Sequence, residues 1–519
     1  MSWEREVRGI EDRRRRALEL GGADAVARQR AQGRRTIRER IAAVADPGSF
    51  REVGPLAGHA ETDESGAVIS FQPANYVLGI ARLEGRPCVV GGEDFTQKGG
   101  SPSPAGLRKS IYAEELALRY RLPLVRFLEG AGGSVRGAAA KGAADRRPSG
   151  DPVYGEHRFV SIARVLENVP VVSAAVGSVA GFPAARLAAS HFAIMTRETS
   201  QVLVAGPAVV ERALGEKLTK EELGGAAVHS KSGVVDHVAA DEDEVIELMR
   251  RFLGYLPSHV GELPPERASA DPAARAEEEL LAIVPRNRRR VYDMRRLVRL
   301  VVDADSWFEL TALFGRSQIT GLARLDGTPV GVLANDPYHF GGAMTADGAQ
   351  KVRRFVTLCE TFHLPILSFV DEPGFMIGRD AEAAATIRHG VEAMCATVRS
   401  TVPWAAVLVR KAYGVAAAVH FGPAATVFAW PSGERGALPI EGGVAVAFRR
   451  EIESAPHPEA RRAELEELLA RGRTPFPAAE SFAVHDLIDP RGTRPELCAW
   501  LELVRPLLEL RVARRPRER

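Results

Sequence analysis

Two short stretches carry residues arranged for chemistry. Residues 122–132 read LPLVRFLEGAG and residues 364–378 read LPILSFVDEPGFMIG. Each is an apolar, strand-like run that meets an acid, Glu129 or Asp371, and then breaks into glycine at Gly130, Gly132 and Gly133 or at Gly374. A buried strand that opens into glycine presents bare backbone N–H groups. Where two such groups converge, they hold a developing oxyanion. The chemistry expected is therefore electrostatic stabilisation by the main chain at two places.

Side chains offer little alternative. Asp371 and Glu372 read first as residues that orient the turn or cap the following helix. His363, His389 and His420 lack metal-ligand spacing and read as packing or surface residues. Ser134 has no G-x-S-x-G elbow around it, which argues against a serine nucleophile. Lys98, Arg108 and Lys109, beside Gly99-Gly100 or near a helix start, are cations placed where they could meet phosphates, or else ordinary surface charges.

The elements that must position these residues repeat along the chain. Asp46, Ser49, Phe50, Glu52 and Val53 recur as Asp303, Ser306, Trp307, Glu309 and Leu310, 257 residues later. GIARLEGRP at 79–87 recurs as GLARLDGTP at 321–329, 242 residues later. The same spacing of 242 pairs Gly99-Gly100 with Gly341-Gly342, Glu129 with Asp371 and Gly132 with Gly374. A spacing of 233 then pairs Val169-Pro170 with Val402-Pro403 and Gly181 with Gly414. The first copy is longer between 53 and 79, around the polar HAETDESG, where an exposed-loop insertion is expected. It is longer again in GAAAKGAADRRPSGDP.

A repeat this long is a domain duplication. Its seam lies in the Pro-, Glu- and Ala-rich residues 257–285, which predicts domains 1–258 and 259–519. Each copy reads as two strands, Gly-Gly, helix, buried strand, glycine turn, helix, buried strand, glycine turn and helix. Helices are expected over 3–45, 105–120, 292–302, 345–362 and 382–400, and buried strands over 171–176 and 405–409. Such units make an α/β fold with sites at the strand ends.

Composition narrows the partners. The 519 residues are 45% hydrophobic and 26% charged, with a net charge of +2, so neither nucleic acid nor an acidic surface is implied. Cys88, Cys359, Cys395 and Cys498 lie far apart with no CxxC pair, which fits a reducing cytoplasm and no metal. No run is apolar enough for a membrane span.

Several long motifs in order resemble the carboxyltransferase (beta) subunits of biotin-dependent acyl-CoA carboxylases, the propionyl-CoA and acetyl-CoA type. They are ARQRAQGRRTIRERIAAVADPGSF at 27–50, GEDFTQKGGS at 92–101, AGPAVVERALGEKLTKEELGG at 205–225, FVDEPGFMIGRDAEAAATIRHG at 369–390, VRKAYGVAA at 409–417 and VHDLIDPRGTR at 484–494. The resemblance implies two tandem crotonase-like (ClpP/crotonase) domains of ββα-spiral type, the first holding acyl-CoA and the second biotin. It further implies a hexamer of this chain. Biotin would arrive on a separate biotin carboxylase/biotin carrier (alpha) subunit, since no AMKM attachment motif occurs.

The implied activity moves carboxylate from carboxybiotin to the α-carbon of an acyl-CoA. An oxyanion develops on each partner, and no side-chain acid or base is required. Carried over by position, the first hole uses Gly132, Gly133, Gly181 and Phe182, and the second Gly374, Phe375, Val415 and Ala416. Lys98, Gly99, Gly100, Arg108 and Lys109 fall on the CoA side and Tyr413 and Gly414 on the biotin side. Ala418 occupies the position associated with acyl-chain choice, and its small side chain predicts tolerance of acyl groups longer than propionyl.

Relatives carry a second glycine where this chain has Phe182 and Val415. A backbone donor survives that change if φ is negative, so the expectation turns on φ at these two residues. The alternatives are the carboxyltransferase component of a decarboxylase and a non-catalytic paralogue with a structural role in a carboxylase complex.

Overall fold

In the computed structural model the described residues are 2–64, 66–130, 132, 159–471 and 474–514. The chain forms two compact units, Met1–Glu262 and Leu263–Arg519. Each is built on an eight-stranded sheet, and the two sheets share one strand order.

In the first unit that order is Arg51–Glu52, Tyr76–Leu83, Arg86–Glu93, Leu124–Gly130, Val171–Ala180, Phe192–Thr196 and His237–Ala239. The strand Gln201–Leu203 also pairs with Val171–Ala180. In the second it is Phe308–Leu310, Gln318–Leu325, Thr328–Asn335, Ile366–Glu372, Trp404–Tyr413, Thr426–Ala429 and Asp486–Leu487, with Glu434–Gly436 beside Trp404–Tyr413. The first three strands pair antiparallel, and the rest are parallel.

The spacings seen in the sequence are spacings of register. Arg51 faces Ile80 as Phe308 faces Leu322, and Val89 faces Leu124 as Gly331 faces Ile366. Leu124 faces Val171 as Ile366 faces Trp404. Even the irregularity repeats: pairing shifts between Leu128 and Gly130, and again between Val370 and Glu372. Both antiparallel hairpins turn through two left-handed residues, Glu84 (φ 50) and Gly85 (φ 80), or Asp326 (φ 47) and Gly327 (φ 78). This is the turn whose twist matches that of its strands.

The strands that lead into the glycine turns, Leu124–Gly130 and Ile366–Glu372, are buried along their whole length. Their apolar residues face both sides of the sheet, as in strands covered on both faces, with buried Arg126, Glu129, Ser368, Asp371 and Glu372 among them. In the second unit, Leu297, Val298 and Val301 of helix Met294–Val301 meet Leu497, Trp500 and Leu501 of helix Thr493–Arg514 in a core that includes Leu367 and Val407.

Several expected elements have other limits. The helical stretch 3–45 is three helices, Glu4–Ala17, Ala23–Ala31 and Ile37–Val44, because Gly22 (φ 92) and Gly33 (φ 70) break it. The helix expected over 382–400 is interrupted at left-handed Ala385 (φ 55). The two strands expected at 171–176 and 405–409 run on as Val171–Ala180 and Trp404–Tyr413. The first-copy insertion is not a plain loop. It forms an antiparallel hairpin, Gly58–Thr62 with Val68–Pro73, whose Val68 and Ile69 carbonyls accept from Arg16. The second insertion lies outside the described residues. Among the described residues no helix is long and apolar enough to cross a membrane.

Candidate active site

In the first unit, two buried strands deliver two glycines to one point. Leu124–Gly130 leads to Gly132 (φ 73), and Val171–Ala180 leads to Gly181 (φ 65, ψ −129), which begins helix Phe182–Ala188. A Cβ on Gly132 would lie 2.7 Å from the Ala180 oxygen, and one on Gly181 would lie 3.6 Å from the Gly132 Cα. The turns therefore touch; a side chain at Gly132 would clash, and one at Gly181 would be strained by its positive φ. The Gly181 carbonyl accepts from the Ala185 N–H at 3.0 Å. Across a trans peptide the next N–H points the opposite way, so that of Phe182 faces out of the helix start. Gly133 and Ser134 lie outside the described residues.

Beneath this turn the fully buried Glu129 carboxylate meets Arg34, Arg40 and Gln29. Arg40 continues to Glu242 at 2.8 Å. Burial works against the Arg40 charge, yet Glu129 and Glu242 hold its pKa above the ordinary guanidinium value. Gly177 makes room for this network, since a Cβ there would sit 2.3 Å from Glu129 Oε1.

The second unit repeats the arrangement with different supports. Gly374 (φ 121) follows Ile366–Glu372, and Gly414 (φ 64) follows Trp404–Tyr413; a Cβ on Gly374 would stand 4.0 Å from the Tyr413 oxygen. The Gly374 N–H donates to Glu372 Oε1 at 3.0 Å, and its carbonyl accepts from the Met344 N–H at 3.0 Å. The Phe375 N–H therefore points away from Met344. The Phe375 ring packs on Gly390, where a Cβ would meet it at 2.3 Å.

Gly414 donates its N–H to the Gly436 oxygen at 3.0 Å. Val415 has φ −70 and ψ −32 and opens the helical turn Ala416–His420. Its carbonyl accepts from the Ala418 N–H at 3.0 Å, which directs the Ala416 N–H out of the open end. Both substitutions of concern fall at negative φ, and the left-handed position before each is still glycine.

The carboxyl transferase domain family matches residues 28–514. The chain belongs to that family. It is 34% identical to the propionyl-CoA carboxylase carboxyltransferase subunit of Haloferax mediterranei over 97% of both chains. It is 32% identical to the methylmalonyl-CoA decarboxylase subunit alpha of Veillonella parvula, over 93% of this chain and 92% of that one. Among solved structures, the transcarboxylase 12S subunit, crystallised with methylmalonyl-coenzyme A and described as a hexamer, matches with TM-score 0.86 and 30% identity, over 97% and 96% of the chains. The two units are thus the tandem crotonase-like domains of a carboxyltransferase.

Other residues of this carboxyltransferase take varied places. Lys98 and Arg108 are exposed. Lys109 is only half-buried and held from below: its Nζ donates to the Gly54 oxygen at 3.2 Å and lies 3.7 Å from Glu52, and burial pulls its pKa down. Gly99 (φ 60) and Gly100 (φ 69) shape a tight turn, and a Cβ on Gly100 would strike the Glu129 oxygen at 2.3 Å. The Tyr413 ring is buried with its hydroxyl on Glu434. Ala418 is exposed on the helical turn.

Asp371 is buried and accepts from the Tyr292 hydroxyl at 2.9 Å and the Lys411 N–H at 3.2 Å. His363 and His420 are buried, and among the described residues no cluster could hold a metal. The supports from distant segments, Arg34, Arg40, Gln318 and Asn335, were missed from the sequence. Their one local signal is the amide pair in otherwise apolar strands.

Proposed function

We propose that this chain is the carboxyltransferase subunit of a biotin-dependent acyl-CoA carboxylase, with one backbone oxyanion hole in each unit. The reading rests on one observation above others: all four turns keep glycine at positive φ, Gly132, Gly181, Gly374 and Gly414, in two matched pairs at the ends of buried strands. A protein retained only as scaffold has no need of all four, so the non-catalytic reading loses its main support.

In the first unit, the N–H groups at Gly132 and Phe182 hold the thioester oxygen as negative charge develops on it. Exposed Lys98 and Arg108 are the cations left for the CoA phosphates. In the second unit, the N–H groups of Phe375 and Ala416 hold the biotin ureido oxygen. Carboxybiotin supplies the carboxyl group and, once that group has left, the nitrogen that takes the α-proton. Removing one donor from such a hole costs about 2.7–4 kcal/mol of transition-state stabilisation. Biotin is delivered on a partner subunit, whose tether raises its local concentration. The chain assembles as a hexamer, in line with the transcarboxylase described above.

The test is reconstitution. The purified chain, a biotin-carrying subunit, ATP, labelled bicarbonate and short acyl-CoAs should yield labelled malonyl-type CoA, and inactivity with every biotin-carrying partner would sink the reading. The likeness to the Veillonella decarboxylase subunit favours one second reading, the same transfer run from a malonyl-type CoA towards biotin. A strong excess of that direction over carboxylation would select it. The exposed, small Ala418 leads us to expect kcat/KM to rise from propionyl-CoA to longer acyl-CoAs. Flat or falling values would remove that expectation.

A further inference from the structure

The two turns are built alike, but the carboxylate that engages the second turn's own backbone, that of Glu372, has only Gly130 opposite it in the first copy. Glu372 is fully buried and accepts from four groups: Gln318 at 3.2 Å and Asn335 at 2.9 Å on Oε2, and the Met344 and Gly374 N–H groups at 3.2 and 3.0 Å on Oε1. Gln318 and Asn335 also donate to the Gly342 oxygen, each at 3.1 Å, which ties the Gly341-Gly342 turn to the same carboxylate. Behind Glu372 stands buried His420. Its Nδ1 meets Ser368 Oγ at 2.9 Å, while its Nε2 has no hydrogen-bond partner and lies 3.7 Å from Oε2.

At a spacing of 242, the first-copy residues opposite Gln318, Asn335, Met344 and Glu372 are Tyr76, Glu93, Pro102 and Gly130. Gly130 has no carboxylate and Pro102 has no N–H, so this clamp cannot form in the first unit.

We propose that Glu372 is a positioning residue that sets which main-chain donor the second turn offers. By taking the Gly374 N–H inward, it leaves the Phe375 N–H as the donor of that turn and fixes its direction through the Met344–Phe375 bridge, in which the Met344 N–H donates to the Gly374 oxygen. Four amide donors satisfy the buried carboxyl group and hold it in place beneath the turn. The consequence is an asymmetry of control. The first hole is braced by an arginine–carboxylate network around Glu129, whereas in the second Asp371 bonds to Tyr292 and Lys411 and Glu372 engages the turn's own backbone. The biotin assignment of this turn rests on the function proposed above; the clamp itself does not.

Two measurements separate these claims. Residue-resolved hydrogen exchange on the full chain should show the Met344 and Gly374 amides exchanging at least tenfold more slowly than that of Phe375. In Glu372→Gln, protection should fall at 344 and 374 while the strand Leu124–Gly130 is unchanged. A Gly374 amide that exchanges as fast as that of Phe375 in the unaltered chain overturns the clamp, whatever the activity.

The second measurement is carboxyl transfer from methylmalonyl-CoA to free d-biotin. Glu372→Gln should lower kcat about tenfold or more, with KM for methylmalonyl-CoA within about twofold. An equal rise in both KM values at unchanged kcat would assign Glu372 a merely structural part and overturn the positioning role. Slow exchange at Gly374 in a chain that transfers no carboxyl group to biotin would uphold the clamp and overturn the proposed function instead.

Discussion

At the scale of single residues, a backbone donor depends on the angle at which it is held, not on the side chain beside it. Val415 at φ −70 occupies ordinary right-handed space, whereas Gly414 at φ 64 does not. Val415→Gly should therefore leave kcat/KM for carboxyl transfer within about twofold. Gly414→Ala puts a Cβ into the left-handed region, at a cost of roughly 1–2 kcal/mol, and 3.3 Å from the Ala437 oxygen. It should lower transfer to free biotin at least tenfold while KM for the CoA ester stays nearly constant. Steady-state kinetics on the two variants checks both, and equal losses would show that the left-handed glycine at 414 has no special part in the turn. The sequence motif drew attention to the lost glycine at 415. Only the dihedral angle showed that the backbone at 415 does not require glycine.

At the scale of elements, each unit fastens its antiparallel hairpin with one aspartate. Asp303 accepts from the Asp326 and Gly327 N–H groups at 2.9 and 2.8 Å and from Arg494 at 2.8 Å. Asp46 meets Glu84 and Gly85 in the same way. Burial opposes ionisation of Asp303, but the Gly327 N–H, Arg494 and the Asp326 N–H outweigh it and hold the carboxyl below its ordinary value of 3.8. A lowered folded-state pKa contributes stability that is present above 3.8 and is lost as pH falls through the lower, folded value. Asp303→Asn should cost about 1–3 kcal/mol near neutral pH. It should also flatten the acid side of the stability curve below pH 3.8, as followed by denaturant unfolding; an unchanged curve would mean that the turn does not depend on the charge. The pairing of Asp46 with Asp303 was legible in the sequence, because the hairpin needs an acceptor there twice. The partner Arg494 was not, since it lies 191 residues away.

At the scale of the molecule, each unit has its own core, and the cysteines lie where those cores put them. Burial pushes the Cys88 and Cys498 thiols up to about 11 and that of Cys359 well above its ordinary range, while Cys395 is only half-buried. A thiol reagent at pH 8 should therefore modify Cys395 first in the native chain, and the other three only on unfolding; peptide mapping of the first labelled site checks this.

By itself, the sequence determined the duplication, the order of elements along each copy and the four glycine turns. Those features are local, and a repeat displays them twice. The tertiary structure alone decided how the turns are held. Arg34 reaches Glu129 from the link between two N-terminal helices and Arg40 from the helix Ile37–Val44, while Gln318 and Asn335 reach Glu372 from the ends of two strands. Charges and amides brought together across such distances leave no periodic trace in the chain, because nothing but packing sets their separation. That is why the two stretches that look alike in sequence, 122–132 and 364–378, rest on different chemistry.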